Sequence, residues 1–174
     1  MGFRKHFASK GYSDTTAYDY TENVPYKVDK DGRAEEYIVA IDAIHFKEGD
    51  STQFEDQLID REILKAYAGF SSIPVEKAKV VTGGWGCGVF NGDLRTKLLI
   101  QWIAASLAGK EMVFCPFGRR QMLKEGLPDY LENYPVQQVY RMLIKATREK
   151  AMAGKGVSLD IFKLMAAQMQ TNHI

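Results

Sequence analysis

Apolar residues along this chain recur with two different periods, and the changes of period mark out its elements. The stretch "EEYIVAIDAIHF" carries Ile38, Val39, Ile41 and Ile44 with little polar alternation. It is too apolar for a strand with one wet face, so it predicts a central strand covered on both faces. In "TQFEDQLIDREILKAYAGF", Phe54, Leu58, Ile63 and Tyr67 follow roughly helical spacing, and Gly69 is placed to end the helix. "AKVVTG" reads as a short second strand. "GDLRTKLLIQWIAASLAG" reads as a strongly apolar helix that starts near Asp93, with Asp93 near its first turn and Gly109 near its end. "EMVFCPFG" reads as a third strand that stops at Pro116. Further helices are expected around 118–126, 133–151 and 158–170, the last capped by Ser158.

The order strand, helix, strand, helix, strand predicts an α/β layer with parallel neighbours, followed by a helical tail. The strands around 37–44, 79–82 and 112–115 are expected in one parallel sheet with helices on both faces. One domain over 1–174 is expected: 1–35 irregular with a turn near "DKDG", 36–118 an α/β core, and 119–174 helical.

Composition adds mostly exclusions. A chain of 174 residues, 45% hydrophobic and 26% charged, can bury a real core. Its net charge of +1 supplies no overall field toward nucleic acid or membrane, and neither is expected as a partner. Cys87 and Cys115 offer neither a disulfide framework nor metal-ligand spacing, so no metal or cofactor is expected. No apolar run has transmembrane length, and the N-terminal residues lack the apolar core of a signal peptide. A cytosolic or nuclear setting follows as the expectation.

The candidate chemistry lies in "VVTGGWGCGVFNGDLRTK", which holds five glycines between a strand and a helix. Ligands of α/β units bind where a loop leaves the carboxyl end of a strand. Gly83, Gly84, Gly86, Gly88 and Gly92 can take positive φ and leave no Cβ between backbone and ligand. Successive free N–H groups can form an anion nest, and the following helix adds partial positive charge. That suits a phosphate or pyrophosphate. The spacing is neither a Walker loop nor a dinucleotide fingerprint, and a glycine-rich tight turn is the alternative reading.

"TGGWGCGVFNGD" followed by "KLLIQWIAAS" resembles the signature in the C-terminal half of the poly(ADP-ribose) glycohydrolase family, which has a macrodomain fold. "IVAIDAIHF", "QFEDQLIDREILKAYAGF" and "VFCPFG" resemble three further family motifs in the same order, so the likeness is close over roughly 36–118. The resemblance implies a macrodomain-like three-layer α/β/α sheet, incomplete at its N-terminal side. It implies hydrolysis of ribose–ribose bonds in poly(ADP-ribose), binding of that polymer or of ADP-ribose, ADP-ribosylated proteins as possible partners, and a place in the DNA damage response. The family's catalytic signature, a glycine triplet followed by Gln-Glu-Glu, lies upstream of the matching region, and this chain contains neither "GGG" nor "QEE". One of those glutamates protonates the leaving ribose oxygen, so this chain alone is expected to be inactive. The alternative is a catalytically inactive, ADP-ribose-binding macrodomain remnant.

Carried onto this sequence, the resemblance implies that Gly83, Gly84, Gly86, Cys87, Gly88 and Val89 cradle the diphosphate and distal ribose. The family usually has Asn at the position of Gly84, so that side-chain hydrogen bond is lost here. Phe117 resembles a stacking partner for adenine or ribose. Tyr12 is a weaker match for a tyrosine near the adenine, with Tyr18 its rival. Trp85 is expected to pack against the sheet, and Cys87 to be a small residue in a tight loop rather than a nucleophile. Asp42 is expected to be a buried carboxylate holding a loop, and His45 a structural residue. Glu22, Glu35 and Glu36 read as solvated surface. Arg141, Lys145 and Arg148 share a helix face that reads as solvated and could attract an anionic polymer.

Overall fold

The computed structural model describes residues 8–10, 17–19, 30–31, 37–74, 78–118, 131, 134–153 and 159–171. Its backbone divides into two compact units, Met1–Val39 and Ala40–Ile174. In the first, β1 (Ala8–Lys10) pairs antiparallel with β2 (Ala17–Asp19), Ser9 opposite Tyr18. Tyr12, Glu22, Glu35, Glu36, Ser158 and the helix expected at 118–126 lie outside the described residues, except for Gly118.

The second unit is built on α2 (Leu94–Leu107). Its residues from Thr96 to Gln101 are all buried, so this helix is enclosed nearly all round rather than amphipathic. Around it pack α1 (Asp56–Ser71), α3 (Val136–Met152) and α4 (Ile161–Thr171). A short 3-10 turn, Ser51–Phe54, precedes α1. The face that α1 buries is Ile59, Glu62, Ile63, Ala66 and Phe70, while Tyr67 is largely exposed and Gly69 lies inside the helix. Its apolar stripe is therefore turned from the one read in the sequence, because Glu62 is a core position. One core cluster joins α1, α2, α3 and α4 through Ile59, Leu99, Ile103, Leu143, Phe162 and Met165.

β3 (Lys79–Gly83) and β4 (Glu111–Cys115) pair in parallel, Val81 opposite Val113 and Gly83 opposite Cys115. The α/β arrangement and the two parallel strands follow the expectation. The strand expected around 37–44 does not: residues 37–47 adopt no regular secondary structure. A strand needs a neighbour for its backbone groups, and here side chains and a loop take them. Trp85 Nε1 donates to the Ile41 carbonyl at 3.2 Å, Ile44 N donates to Glu62 Oε1 at 3.2 Å, and Phe46 N donates to the Phe90 carbonyl at 3.0 Å. The expected cover on both faces is also missing among the described residues. Val80 is buried against Ala66, Phe70, Ala104 and Ala105, but Val81 on the other face is 69% exposed.

Local signals set both ends of α2. Asp93 is its N-cap, accepting from Thr96 N at 2.9 Å and Thr96 Oγ1 at 2.8 Å. Gly109 follows the helix at φ +64°, with Gly109 N bonded to Ser106 O and Lys110 N to Ala105 O, the paired bonds of a Schellman ending. At α4, Asp160 accepts from Phe162 N at 2.9 Å and also pairs with Arg95 of α2.

The other oxygen of Asp93 meets Lys150 of α3 at 2.9 Å. Burial works to raise the Asp93 pKa, but Lys150 and the bonds from Thr96 outweigh it and leave the carboxyl below its ordinary value. Asp93→Ala should therefore cost about 1–2 kcal/mol in urea unfolding, the usual range for a lost cap. Asp93→Asn keeps the cap and loses only the charge, so it should cost clearly less. Equal losses in the two variants would show that the cap contributes nothing.

Candidate functional site

The glycine stretch leaves the carboxyl end of β3 and enters α2 at Asp93. Four of its N–H groups are used internally: Trp85 N to Gly83 O, Cys87 N to Gly84 O, Asn91 N to Gly88 O, and Gly92 N to Gly86 O. Those of Gly86, Gly88 and Val89 have no backbone partner among the described residues. The nest is thus interrupted rather than continuous, with free donors confined to its middle. Of the five glycines, only Gly86 has positive φ, at +72°. Gly83 and Gly92 are required by closeness instead: a Cβ on Gly83 would stand 2.7 Å from the Cys115 carbonyl oxygen, and one on Gly92 2.7 Å from the Gly86 oxygen. A Cβ on Gly88 would meet open space.

Beside the loop lies a cavity of about 320 Å³ lined by Gly83, Gly84, Trp85, Gly88, Leu94, Pro116 and Phe117. It collects the ends of both parallel strands and the first residue of α2, the place where α/β units bind ligands. Gly83, Gly84, Gly88 and Phe117 come together there. Gly86, Cys87 and Val89 lie outside the lining: Cys87 is buried in the core cluster, and Val89 is exposed.

Phe117 is held at φ +44° and is 83% exposed. A bulky residue in the left-handed region costs roughly 1–3 kcal/mol, and such strain clusters at ligand-binding positions. Its ring lies over Gly83, whose added Cβ would come within 2.7 Å of Phe117 Cε2. Phe117 is more exposed than Val89 or Phe90 of the loop itself, and it is displayed at the mouth of the cavity.

A model of the family described as poly (ADP-ribose) glycohydrolase, macro domain fold, matches residues 1–124, well over half of the chain. The chain belongs to the poly(ADP-ribose) glycohydrolase family. Poly(ADP-ribose) glycohydrolase 1 of Caenorhabditis elegans is 41% identical over 100 residues, covering 54% of this chain and 13% of that protein. Poly(ADP-ribose) glycohydrolase 2 of the same organism is 37% identical over 103 residues, 56% of this chain and 21% of that protein. A probable poly(ADP-ribose) glycohydrolase 2 of Arabidopsis thaliana is 25% identical over 181 residues, 80% of this chain and 34% of that protein. The chain thus spans about a third or less of the length of these relatives.

Several residues of this glycohydrolase-family chain behave differently from their sequence reading. Asp42 is not buried: its side chain is 57% exposed and binds Arg61 at 2.6 Å and Lys65 at 2.7 Å, both on α1. Those two cations hold its carboxyl down at about 2. His45 is exposed, with its ring 5.2 Å from that of Phe90. Trp85 is half-buried and packs against both core clusters, as expected, while also lining the cavity. Arg148 pairs with Asp56 of α1, whereas Arg141 and Lys145 line a separate cavity of about 470 Å³ between α3 and α4.

Three buried polar residues supporting the glycine loop escaped the sequence reading. Gln101 Nε2 donates to the Gly83 carbonyl at 3.1 Å, and its Oε1 accepts from Thr82 Oγ1 at 2.6 Å, which ties α2 to the end of β3. Lys97, one turn earlier, pairs with Glu62 of α1. The signal was present: Lys97 and Gln101 stand at i and i+4 in a helix that is otherwise apolar there, so both must face a partner inside the protein.

Proposed function

We propose that this chain forms the diphosphate- and ribose-binding part of a poly(ADP-ribose) glycohydrolase. The observation that carries this reading is the convergence, at the carboxyl ends of two parallel strands, of a glycine loop with free N–H donors and a strained, exposed Phe117 on one cavity. The loop would accept the diphosphate oxygens through Gly88 and its neighbours, and Phe117 would stack on adenine or ribose. Hydrolysis of the ribose–ribose bond needs an acid to protonate the departing oxygen and a water to attack the anomeric carbon. The chain holds no Gln-Glu-Glu sequence to supply that acid. In this reading its own residues bind and orient, and the proton would come from a carboxyl outside these 174 residues. That same lack favours a second reading, a module that holds ADP-ribose without cleaving the polymer. Poly(ADP-ribose), free or on modified proteins, is the partner under both readings, and a nuclear or cytosolic place follows from either.

Calorimetric titration of ADP-ribose into the chain, with a polymer-release assay alongside, tests the reading. Binding without release is the expected result, since a missing proton donor costs on the order of a hundredfold or more in rate. Gly88→Val should fold normally, because its Cβ meets nothing, yet weaken ADP-ribose at least about tenfold by filling the cavity. A folded wild-type chain that ignores millimolar ADP-ribose would defeat the reading. Release of ADP-ribose by the pure chain would show that another carboxyl acts as the acid.

A further inference from the structure

Lys97 is a lysine with 3% of its surface exposed, on the central helix, directly behind the glycine loop. Its ammonium contacts Glu62 Oε2, and neither atom has another hydrogen-bond partner among the described residues. Glu62 is itself 2% exposed and uses its other oxygen for Ile44 N at 3.2 Å and Arg61 Nη1 at 2.7 Å. On its far side the Lys97 ammonium lies 4.1 Å from the centre of the Trp85 ring. It also stands 3.2 Å from where a Gly86 Cβ would be. Burying a lysine this completely is expensive unless it has a specific partner, and α2 had apolar side chains available for packing alone.

We infer that Lys97 and Glu62 are positioning residues for the glycine loop: the buried ion pair is the seat on which Trp85 and Gly86 are held. Trp85 is fixed from two sides, by its N–H to the Ile41 carbonyl and by the cation on its ring face. Gly86 is confined between Ala43 and Lys97, which sets the left-handed turn. Directly after that turn come the free N–H groups of Gly88 and Val89. Glu62 extends the same support to the 41–46 segment through Ile44, and Arg61 carries it on to Asp42 and Lys65. The consequence for ligand binding rests on the phosphate-cradle reading; the positioning of Trp85 does not.

Lys97→Met leaves Glu62 Oε2 buried with no partner, Arg61 remaining on Oε1, and can unfold the protein. Glu62→Gln with Lys97→Met removes both charges and retains an Oε1 acceptor for Ile44 and Arg61, so this double variant carries the test. Trp85 is read by fluorescence in a Trp102→Phe background. In the folded double variant its emission should shift to the red and its quenching by acrylamide should rise at least twofold. ADP-ribose should bind at least tenfold more weakly, and Asp60→Asn on the far side of α1 should change neither. Burial and Arg61 work to lower the Lys97 pKa, while the Glu62 carboxylate in contact with it opposes them. A folded double variant with wild-type Trp85 emission overturns the inference. Altered Trp85 emission in a chain that never bound ADP-ribose would support the positioning role while sinking the phosphate reading; unchanged affinity with altered emission would show that the seat holds Trp85 but not the cradle.

Discussion

Gly86→Ala should destabilise the protein by about 2–4 kcal/mol, while Gly88→Ala, two residues away, should change stability by less than about 0.5 kcal/mol. The difference comes from the surroundings of the two positions. Gly86 is at φ +72°, where a Cβ costs roughly 1–2 kcal/mol by itself. That Cβ would also stand 2.9 Å from Ala43 Cβ and 3.2 Å from the Lys97 ammonium. The lysine cannot withdraw without leaving Glu62, and Ala43 is in a segment tied down on both sides at Ile41 and Ile44. Gly88 has ordinary backbone angles and open space around it. Urea unfolding of the two variants decides the matter. If both are as stable as wild type, the turn at Gly86 relaxes freely and does not hold the loop.

Phe117→Gly should lower ADP-ribose affinity by about 5- to 150-fold, corresponding to the roughly 1–3 kcal/mol of a base–aromatic contact, and yet leave stability unchanged or raise it by about 1 kcal/mol. At φ +44° phenylalanine is strained and glycine is not, so the substitution relieves strain. The greater freedom of glycine in the unfolded chain takes back about 0.4–1 kcal/mol. Little burial is lost, because the ring is 83% exposed. Phe117→Leu is the control: it keeps the strain, loses the stacking face, and should bind as weakly as the glycine variant without its stability. Thermal melts and calorimetric titration of the three proteins give both quantities. A glycine variant that binds normally places the stacking partner elsewhere; one that melts well below wild type shows that Phe117 packs rather than waits for a ligand.

What was legible in the sequence has a common property: its cause is local. Asp93 caps α2 through Thr96, three residues on, and Gly109 ends it through bonds to Ser106 and Ala105. β3 and β4 are short apolar runs bounded by turn residues and joined by one long helix, the kind of crossover that parallel pairing needs. The glycine loop announced itself because glycines gathered between a strand and a helix have few structural uses, and the family likeness rested on that same stretch. Phe117, which lines the cavity beside that loop, stands between Pro116 and Gly118, which end the strand before it.

Tertiary structure alone decided the rest. An apolar run such as 37–46 has the composition of a strand, but pairing depends on a neighbour that composition does not contain. Here the Trp85 indole, the Glu62 carboxylate and the Phe90 carbonyl take its backbone groups instead. Asp42, flanked by isoleucine and alanine, reads as buried, yet two cations on α1 bind it at the surface. Nothing in the sequence names Glu62 as the partner of Lys97. They become buried partners only when α1 and α2 pack together, because a charge's burial is set by what covers it, and the covering atoms come from 35 residues away in the sequence. Local chemistry therefore wrote the elements and the loop, whereas the seat beneath the loop exists only in the folded chain, where two distant charges find each other out of water.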